Sequence, residues 1–381
     1  MSRFTQPASL CSLLALLVAS SPASAGDSKG FLENIHKHTT LTSTAIANGD
    51  LNPYAVVVAP VAAGTVHKGD VLIGNFNNIS NLQGTGTTII DYNPETKQTS
   101  LFAKLPNQLP QCPGGVGLTT AMTMLQSGWI IVGSTPSTDG TTKTKGPGCL
   151  IVLDSSGKFV KAFAGANIND PWGNMAVIDK GAAATLFISN AGFDIPGPDV
   201  IDPNTGLFKI FNTATILRVE LSMPAGKPPA ITSQTVIADG LSARADKDAF
   251  LAGPTGLALA QDGKTLYISD AVNNRIVAID DATTRKDSAG TGREIVKDGL
   301  LKRPLAMTMT PQGHLLVTNA LNGQVVEIDP IAGKQLYAQW IDNDQAQSPP
   351  GNGDLFGLAM TPDGNGFYYV EDDMNTLMVA Q

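Results

Sequence analysis

The feature that most limits the fold of this chain is a block of about fifty residues that recurs six times. In its clearest copy, residues 254–259, 265–270 and 275–280 form three short apolar runs separated by turn signals, which predicts three strands. The same layout returns at residues 304–329 and again from Phe356. Each copy has a glycine in its first hairpin, and these are Gly69, Gly128, Gly181, Gly263, Gly313 and Gly364.

Small repeats of this kind cannot bury both faces of a sheet alone, so they stack on one another. We therefore predict an all-β fold, a six-bladed β-propeller with four-stranded blades, as a single domain over residues 26–381. The long third interval indicates a loop insertion at about residues 192–213, and residues 242–251 add further length.

The ring is predicted to close through an N-terminal strand. Residues 43–49 resemble the fourth strands predicted at residues 235–240 and 294–299, whereas the sixth block ends after its third strand, at residues 377–380. A strand from the start of the domain would complete the last blade.

Residues 1–25 have the pattern of a secretory signal peptide. Arg3 precedes an apolar run over residues 10–19, and an Ala-Ser-Ala cleavage site ends at Ala25. The run is too short to span a membrane, which takes about 20 residues, so no membrane span is expected. The sequence predicts a secreted or periplasmic protein.

Charge and cysteine content limit the partners. The formal net charge is −8 and the sequence has no basic run, so nucleic acid is not an expected partner. Cys112 and Cys149 remain after signal cleavage, and an even pair in an oxidising compartment predicts one disulfide bond. We expect a monomer.

Two segments resemble the NHL-repeat family of six-bladed β-propellers. They are GPTGLA at residues 253–258 and SDAVNNRI at residues 269–276. The resemblance is close in the fourth block, fair in the fifth and sixth, and weak in the first three. It implies a fold rather than a function, because related propellers include scaffolds, lactonases, lyases and amidating-enzyme domains.

Propellers of the gluconolactonase type resemble this chain in ring architecture, and they hold calcium with Glu, Asn and Asp side chains at the starts of the inner strands. The corresponding residues here are Tyr54, Trp172, Thr255, Leu305 and Phe356, and the second block is unclear near Val116 and Gly117. Asn174 is the one plausible ligand nearby. We predict no metal site and no cofactor, and calcium is the alternative that this resemblance offers.

Three of those five residues are aromatic in a chain with 6% aromatic residues. We predict a small-molecule site at this end of the channel, formed by Tyr54, Trp172, Asn174, Thr255, Leu305 and Phe356, with the insertion as its lid. The alternative is that the rings fill the channel as core.

A second set of polar residues closes the predicted second strands: Asn75, Ser134, Asn190, Asp270, Asn319 and Asp372. Because they recur in every block, we interpret them as caps of the following turns rather than as an active site.

No residue pattern identifies a reaction, and the catalytic residues stay unknown at this stage. The preferred interpretation is an exported binding or scaffolding propeller for an unidentified small molecule or protein. The alternative is a propeller hydrolase, lactonase or lyase that uses the channel mouth, with or without calcium.

Overall fold

The computed structural model describes residues 1–2, 30–46, 49–165, 167–193, 195, 201–203, 206, 208–342, 344–353 and 355–381. The predicted signal peptide lies outside the described residues except for Met1 and Ser2. Among the described residues, no helix is both long enough and apolar enough to cross a membrane.

Six antiparallel sheets form the six blades of a β-propeller, as predicted. Blade 1 contains β2 (Leu51–Val58), β3 (Val71–Asn77), β4 (Thr88–Asn93) and β5 (Gln98–Lys104). Blade 2 contains β6 (Leu118–Met124), β7 (Ile130–Ser134), β8 (Cys149–Leu153) and β9 (Phe159–Phe163). Blade 3 has five strands, β10 (Ala176–Asp179), β11 (Ala183–Asn190), β12 (Phe211–Ser222), β13 (Ala230–Asp246) and β14 (Phe250–Ala252).

Blade 4 contains β15 (Pro254–Leu259), β16 (Leu266–Asp270), β17 (Arg275–Ile279) and β18 (Arg293–Lys297). Blade 5 contains β19 (Pro304–Met309), β20 (Leu315–Asn319), β21 (Gln324–Asp329) and β22 (Lys334–Trp340). Blade 6 contains β23 (Leu355–Met360), β24 (Phe367–Glu371), β25 (Thr376–Ala380) and β1 (His38–Ser43). In the described part of the chain, two short 3₁₀ helices, Leu32–Asn34 and Thr142–Thr144, lie outside the blades.

The repeat pattern maps directly onto this geometry. All six marker glycines have positive φ angles, from 65° at Gly263 to 90° at Gly69, which is the conformation that the first hairpin of each blade requires. Strands such as β3 and β8 are buried along their whole length, because each blade packs on its neighbours through both faces. The apolar core therefore lies between successive blades.

An N-terminal strand closes the ring, as predicted. Strand β1 pairs antiparallel with β25, with His38 opposite Ala380 and Ser43 opposite Thr376. The position of this strand differs from the prediction, which placed it at residues 43–49. The pairing ends at Ser43, and Ile46 N–H then donates to Thr44 O in a turn, so Ala45 and Ile46 follow the closing strand rather than form it. Residues 47 and 48 of the predicted strand lie outside the described residues.

A buried carboxylate anchors the segment before β1. Glu327 accepts hydrogen bonds from the main-chain N–H groups of Phe31 (2.8 Å) and Leu32 (2.9 Å), and His314 Nδ1 lies 2.6 Å from the same carboxylate. A Cβ atom on Gly30 would come within 2.7 Å of Glu327 Oε2, so the close approach requires glycine. The start of the domain is thus fixed to blade 5 as well as to blade 6.

The long third interval contains two departures from the repeat. The predicted insertion, residues 192–213, falls between the end of β11 and the start of β12. Its residues 194, 196–200, 204, 205 and 207 lie outside the described residues, and its last residues, from Phe211, belong to β12. The second departure is the extended β13, which turns back through β14 over the channel mouth.

The predicted disulfide bond is confirmed between Cys112 and Cys149, with Cα atoms 5.2 Å apart. It joins the loop before β6 to the start of β8, so it cross-links two segments of blade 2. In the loop-entropy account, a bond that closes a loop of 37 residues contributes about 3–4 kcal/mol.

We expect the double substitution Cys112→Ala with Cys149→Ala to lower the free energy of unfolding by about that amount, because the unfolded chain regains freedom. Urea denaturation of both proteins measures the difference. Thiol titration of the unfolded, unreduced wild type should find no free thiol in the chain without its signal peptide. Equal midpoints and slopes would contradict the expected stabilisation.

Candidate functional site

The starts of the inner strands form a ring of equivalent positions around the channel. The structure places five of the residues predicted from the repeat pattern in this ring: Tyr54, Trp172, Thr255, Leu305 and Phe356. Each of them is at most 1% exposed. The missing member in blade 2 is Thr119, which follows Leu118 just as Thr255 follows Pro254. The pairing of Leu118 with Ser134 and of Pro254 with Asp270 establishes this equivalence.

Five aromatic side chains close the channel at this level, and we call them the aromatic plug: Tyr54, Phe76, Trp172, Phe250 and Phe356. The Tyr54 ring stacks on Phe356 with centroids 3.6 Å apart and on Phe76 at 4.5 Å. Trp172 meets the edges of both Tyr54 and Phe76. Sequence reasoning missed Phe76 and Phe250, because neither starts an inner strand.

Asn174 lies below the plug and joins two blades across the channel. Its Nδ2 donates to the carbonyls of Leu257 (2.8 Å) and Met307 (3.1 Å), and its Oδ1 accepts from the N–H groups of the same two residues. The amide thus pairs with the free inner edges of β15 and β19 as a peptide group would. Its predicted role as a ligand stays a prediction, and its hydrogen bonds in this structure are internal.

On the opposite face, the channel opens as a cavity of about 390 Å³ between the inner strands, with Asn174 among its lining residues.

A short hairpin covers the aromatic plug. It comprises residues 246–250, which run from the last residue of β13 to the first residue of β14, and we call it the roof hairpin. Gln83 Nε2 from blade 1 donates to Asp248 O (2.7 Å), and Arg303 Nη1 from blade 5 donates to Asp246 Oδ2 (2.9 Å). The lid was predicted at residues 192–213. Part of that segment lies outside the described residues, so the predicted lid stays a prediction, and the segment that the structure describes over the plug is the roof hairpin.

Beside the roof hairpin lies a polar cavity of about 490 Å³, which we call the mouth cavity. Four blades and the loop between β22 and β23 contribute to it, so it lies close to the ring axis. Its lining comprises Leu51, Asn52, Asn77, Asn81, Leu82, Gln83, Gly140, Lys247, Asp248, Gln347, Asn352, Gly353, Asp372, Asp373 and Asn375.

The mouth cavity is rich in hydrogen-bond acceptors. The side-chain oxygens of Asn77, Gln347 and Asn352 are buried and have no donor within the part of the chain that the structure describes. Carboxylates of Asp248, Asp372 and Asp373 add negative charge, and Lys247 supplies one ammonium group. Such a lining is complementary to a ligand that carries several hydrogen-bond donors.

The polar residues that close the second strands have a structural role in the first five blades. Asn75 Nδ2, for example, donates to Thr44 O, and Asn319 Nδ2 donates to Leu300 O, so these amides hold neighbouring loops. The prediction placed Asp372 at this position in blade 6. The structure shows that the equivalent residue is Glu371, because it is Glu371 that pairs with Leu355. Strand β24 ends one residue earlier than the prediction, which leaves Asp372 to line the mouth cavity.

Glu371 has an unusual environment. Burial, and secondarily the nearby carboxylate of Asp342, raise the pKa of its carboxyl from 4.5 to about 7. Because the folded pKa is the higher one, the contribution of Glu371 to stability is fully present below pH 4.5 and is lost as the pH rises through about 7.

We therefore expect Glu371→Gln to stabilise the protein at pH 8 relative to the wild type by about 1–2 kcal/mol, a value reduced for partial solvent screening. At pH 4.5 the two proteins should differ much less. Chemical denaturation at both pH values measures this. A difference that does not change with pH would contradict the raised pKa.

The inner-strand starts offer few oxygen donors of the kind that a hard metal ion binds. At the inner-strand starts, the ring offers aromatic, aliphatic and threonine side chains, and the amide of Asn174 is bound to main chain. Over the described ranges, no three His, Cys, Asp or Glu side chains form a group that could hold a metal ion. The residues at the inner-strand starts therefore do not fit the hard-cation site of calcium-binding propellers.

No protein-family model matches the sequence, and no curated protein matches it significantly. The fold is similar to solved structures. A gluconolactonase from Xanthomonas campestris has 13% identity and a TM-score of 0.53, over 90% of this chain and 88% of that chain. The calcium-binding protein regucalcin from Agrobacterium tumefaciens has 11% identity and a TM-score of 0.51, over 91% and 93%.

The PQQ-bound aldose sugar dehydrogenase from Streptomyces coelicolor has 14% identity and a TM-score of 0.53, over 91% of this chain and 98% of that chain. At these identities the similarity establishes the six-bladed fold and no more. The NHL-repeat resemblance stays a prediction from the sequence.

Proposed function

We propose that this protein is an enzyme that binds a small polyhydroxylated substrate, a sugar or a sugar lactone, in the mouth cavity. The observation that carries the proposal is a set of buried amide oxygens, on Asn77, Gln347 and Asn352, that find no donor among the described residues and lie around a cavity of about 490 Å³. Buried acceptors without donors cost free energy, and the hydroxyl groups of such a substrate would supply the donors.

The structural neighbours support the enzyme over the binding or scaffolding protein that the sequence favoured. A gluconolactonase and an aldose sugar dehydrogenase share the fold, and their names refer to sugar chemistry. Because one fold hosts many functions, the lining of the mouth cavity carries the assignment. A binding protein for the same class of molecule is the second candidate, and it uses the same cavity.

Hydrolysis of a sugar lactone is the reaction that the cavity suits best. Asp372 would accept a proton from a water molecule as the water oxygen forms a bond to the lactone carbonyl carbon. The ring C–O bond then breaks, and the leaving alkoxide takes the proton from Asp372. Hydrogen bonds from substrate hydroxyls to Asn77 and Asn352 would orient the ring. No step is assigned to a metal, because the inner-strand ring does not fit one.

We expect Asp372→Asn to lower kcat for δ-gluconolactone about 100-fold with a smaller change in KM, because the amide cannot accept the proton. A pH-stat assay measures the hydrolysis. Glu95→Gln, which changes an exposed carboxylate in a turn of blade 1, is the matched control and should leave kcat unchanged. Addition of calcium or of a chelator should not change the rate.

A panel of sugar lactones and lactones without hydroxyls tests the substrate class. Wild-type protein that hydrolyses none of them, but binds the sugars with an affinity that depends on Asn352, would leave the binding protein as the function. Neither hydrolysis nor binding would overturn the proposal.

The proposal includes location and assembly. We propose that the enzyme acts outside the cytoplasm, following the predicted signal peptide, and that it acts as a monomer. Mass spectrometry of the exported protein and light scattering in solution test these two points.

A further inference from the structure

The aromatic plug contains polar atoms that a simple core would not need. Tyr54 OH and Trp172 Nε1 are fully buried, and neither has a hydrogen-bond partner among the residues that the structure describes. Arg303, 8% exposed, leaves Nε and Nη2 without acceptors in the same described part of the chain. All of these groups can donate a hydrogen bond. Packing alone accounts for the rings but not for the unused donors.

Tyr54 and Trp172 belong to the plug that the roof hairpin covers, and Arg303 donates to Asp246 at the base of that hairpin. The charges of Asp372, Asp246 and Arg303 all act on the Tyr54 hydroxyl, and burial, ahead of these charges, raises the pKa of Tyr54 well above its usual value. The phenol therefore keeps its proton at neutral pH and remains a donor. Trp172 contacts the Tyr54 ring edge-on, with centroids 5.9 Å apart.

The roof hairpin is fastened to two blades by polar contacts, and its apolar residues Ala249 and Phe250 belong to the same buried cluster as the plug. On blade 1 its contact is Gln83 Nε2 with the carbonyls of Asp248 and Lys247. On blade 5 its contact is Arg303 with Asp246, which also pairs with Arg244. Phe250 is the apolar side chain of the hairpin that belongs to the plug, and it adopts a positive φ of 66°, which is strained for a residue with a side chain.

Charge limits what could be bound below the hairpin. A carboxylate placed near Tyr54 OH and Arg303 would also meet the carboxylates of Asp246, Asp248 and Asp372. An uncharged oxygen acceptor would accept from the donors without that repulsion. The flat rings of the plug suit the face of a six-membered ring.

We propose that the roof hairpin is a lid, that Phe250 leaves the plug when it opens, and that the chamber so formed binds the uncharged carbonyl end of a ring-shaped ligand. Tyr54 OH and Arg303 Nη2 donate to the carbonyl oxygen, and the aromatic rings pack on the ring face. The inference deepens the proposed function and rests on it for the identity of the substrate. In hydrolysis, the same two donors stabilise the oxyanion that forms on that oxygen.

Opening of the lid is tested without any ligand. Gln83→Ala removes the hydrogen bond that fastens the hairpin to blade 1, and we expect hydrogen exchange of the Phe250–Ala252 amides to accelerate roughly tenfold. Gln339→Ala is the matched control, because its amide makes the same kind of bond to Ile35 O far from the mouth. Equal exchange at Phe250–Ala252 in both variants would overturn the lid.

Binding in the chamber is tested with two uncharged lactams that cannot be hydrolysed as lactones are. We expect δ-gluconolactam to bind and Tyr54→Phe to weaken it roughly tenfold, because one hydrogen-bond donor is lost while the ring remains. Tyr54→Phe should fold as stably as the wild type, because it removes only an unpaired hydroxyl. δ-Valerolactam, which has the carbonyl but no hydroxyls, should bind weakly, with the same dependence on Tyr54.

The two proposals fail in different ways. If gluconolactam binding depends on Asn352 but not on Tyr54, the proposed carbonyl site in the chamber is wrong and the proposed substrate site in the mouth cavity is supported. If valerolactam binds through Tyr54 and gluconolactam binds no better, the chamber stands and the polyhydroxylated substrate is wrong. If neither lactam binds at millimolar concentration, the chamber as a carbonyl site is overturned.

Discussion

A chain that begins at Thr44, and so lacks β1 and the segment anchored by Glu327, is expected to lose most of its stability. Phe31, Leu32 and Ile35 are at most 5% exposed. Their removal alone lowers the free energy of unfolding by about 5–8 kcal/mol, because the burial of their apolar side chains is lost. Blade 6 would also be reduced to three strands, and the edge of β25 that pairs with β1 would lose its partner. Because folded domains are stable by only about 5–15 kcal/mol, thermal unfolding should shift downward by about 10 °C or lose its cooperativity.

Two further measurements make this expectation specific. A synthetic peptide of residues 30–43 added in trans should restore part of the lost stability in a concentration-dependent way. Glu327→Gln in the full chain should give a smaller loss, because one charged acceptor of two main-chain N–H groups is replaced by an amide. A shortened chain as stable to heat as the full chain would show that β1 does not close the ring.

Trp172→Ala is expected to lower the free energy of unfolding by about 3–5 kcal/mol. The indole is fully buried and contacts the rings of Tyr54, Phe76 and Phe250, so its removal leaves a large cavity in the plug. Phe356→Ala should behave similarly, since its ring stacks on Tyr54. Urea denaturation measures both losses.

Trp340→Ala is the control, because this side chain is 58% exposed on β22 and its loss should change stability by less than about 0.5 kcal/mol. The milder Trp172→Phe keeps most of the packing and allows ligand affinity to be compared. A large loss of stability in Trp172→Ala with unchanged affinity in Trp172→Phe would remove Trp172 from the ligand site and leave it as core.

Much of the fold follows from local signals in the sequence. Each first hairpin needs a glycine with positive φ, and six glycines at regular positions predict six blades. The inner-strand starts could be aligned from the same pattern, which is why Tyr54, Trp172 and Phe356 were found together. Thr119 was missed because the loop before β6 has no clear counterpart in the other copies.

The candidate site was less predictable, because it depends on contacts between distant segments. Gln83 and Asp248 belong to blades 1 and 3, and no repeat pattern indicates that they meet over the axis. Asn174 looked like a metal ligand from its position alone, and only the approach of β15 and β19 shows what its amide binds. Asp372 was grouped with the structural caps because a strand end cannot be placed to a single residue from sequence.

The closing strand also affects the order in which the protein folds. Among the strands that the structure describes, β1 is the first to be synthesised and its partner β25 is the last, so their pairing must close a loop that spans nearly the whole domain. Contacts of this range form slowly, because the entropy of loop closure opposes them. Until they form, β25 has an exposed edge that can pair with the β1 of another chain. Refolding at high protein concentration should therefore yield domain-swapped dimers in which each ring is closed by the other chain.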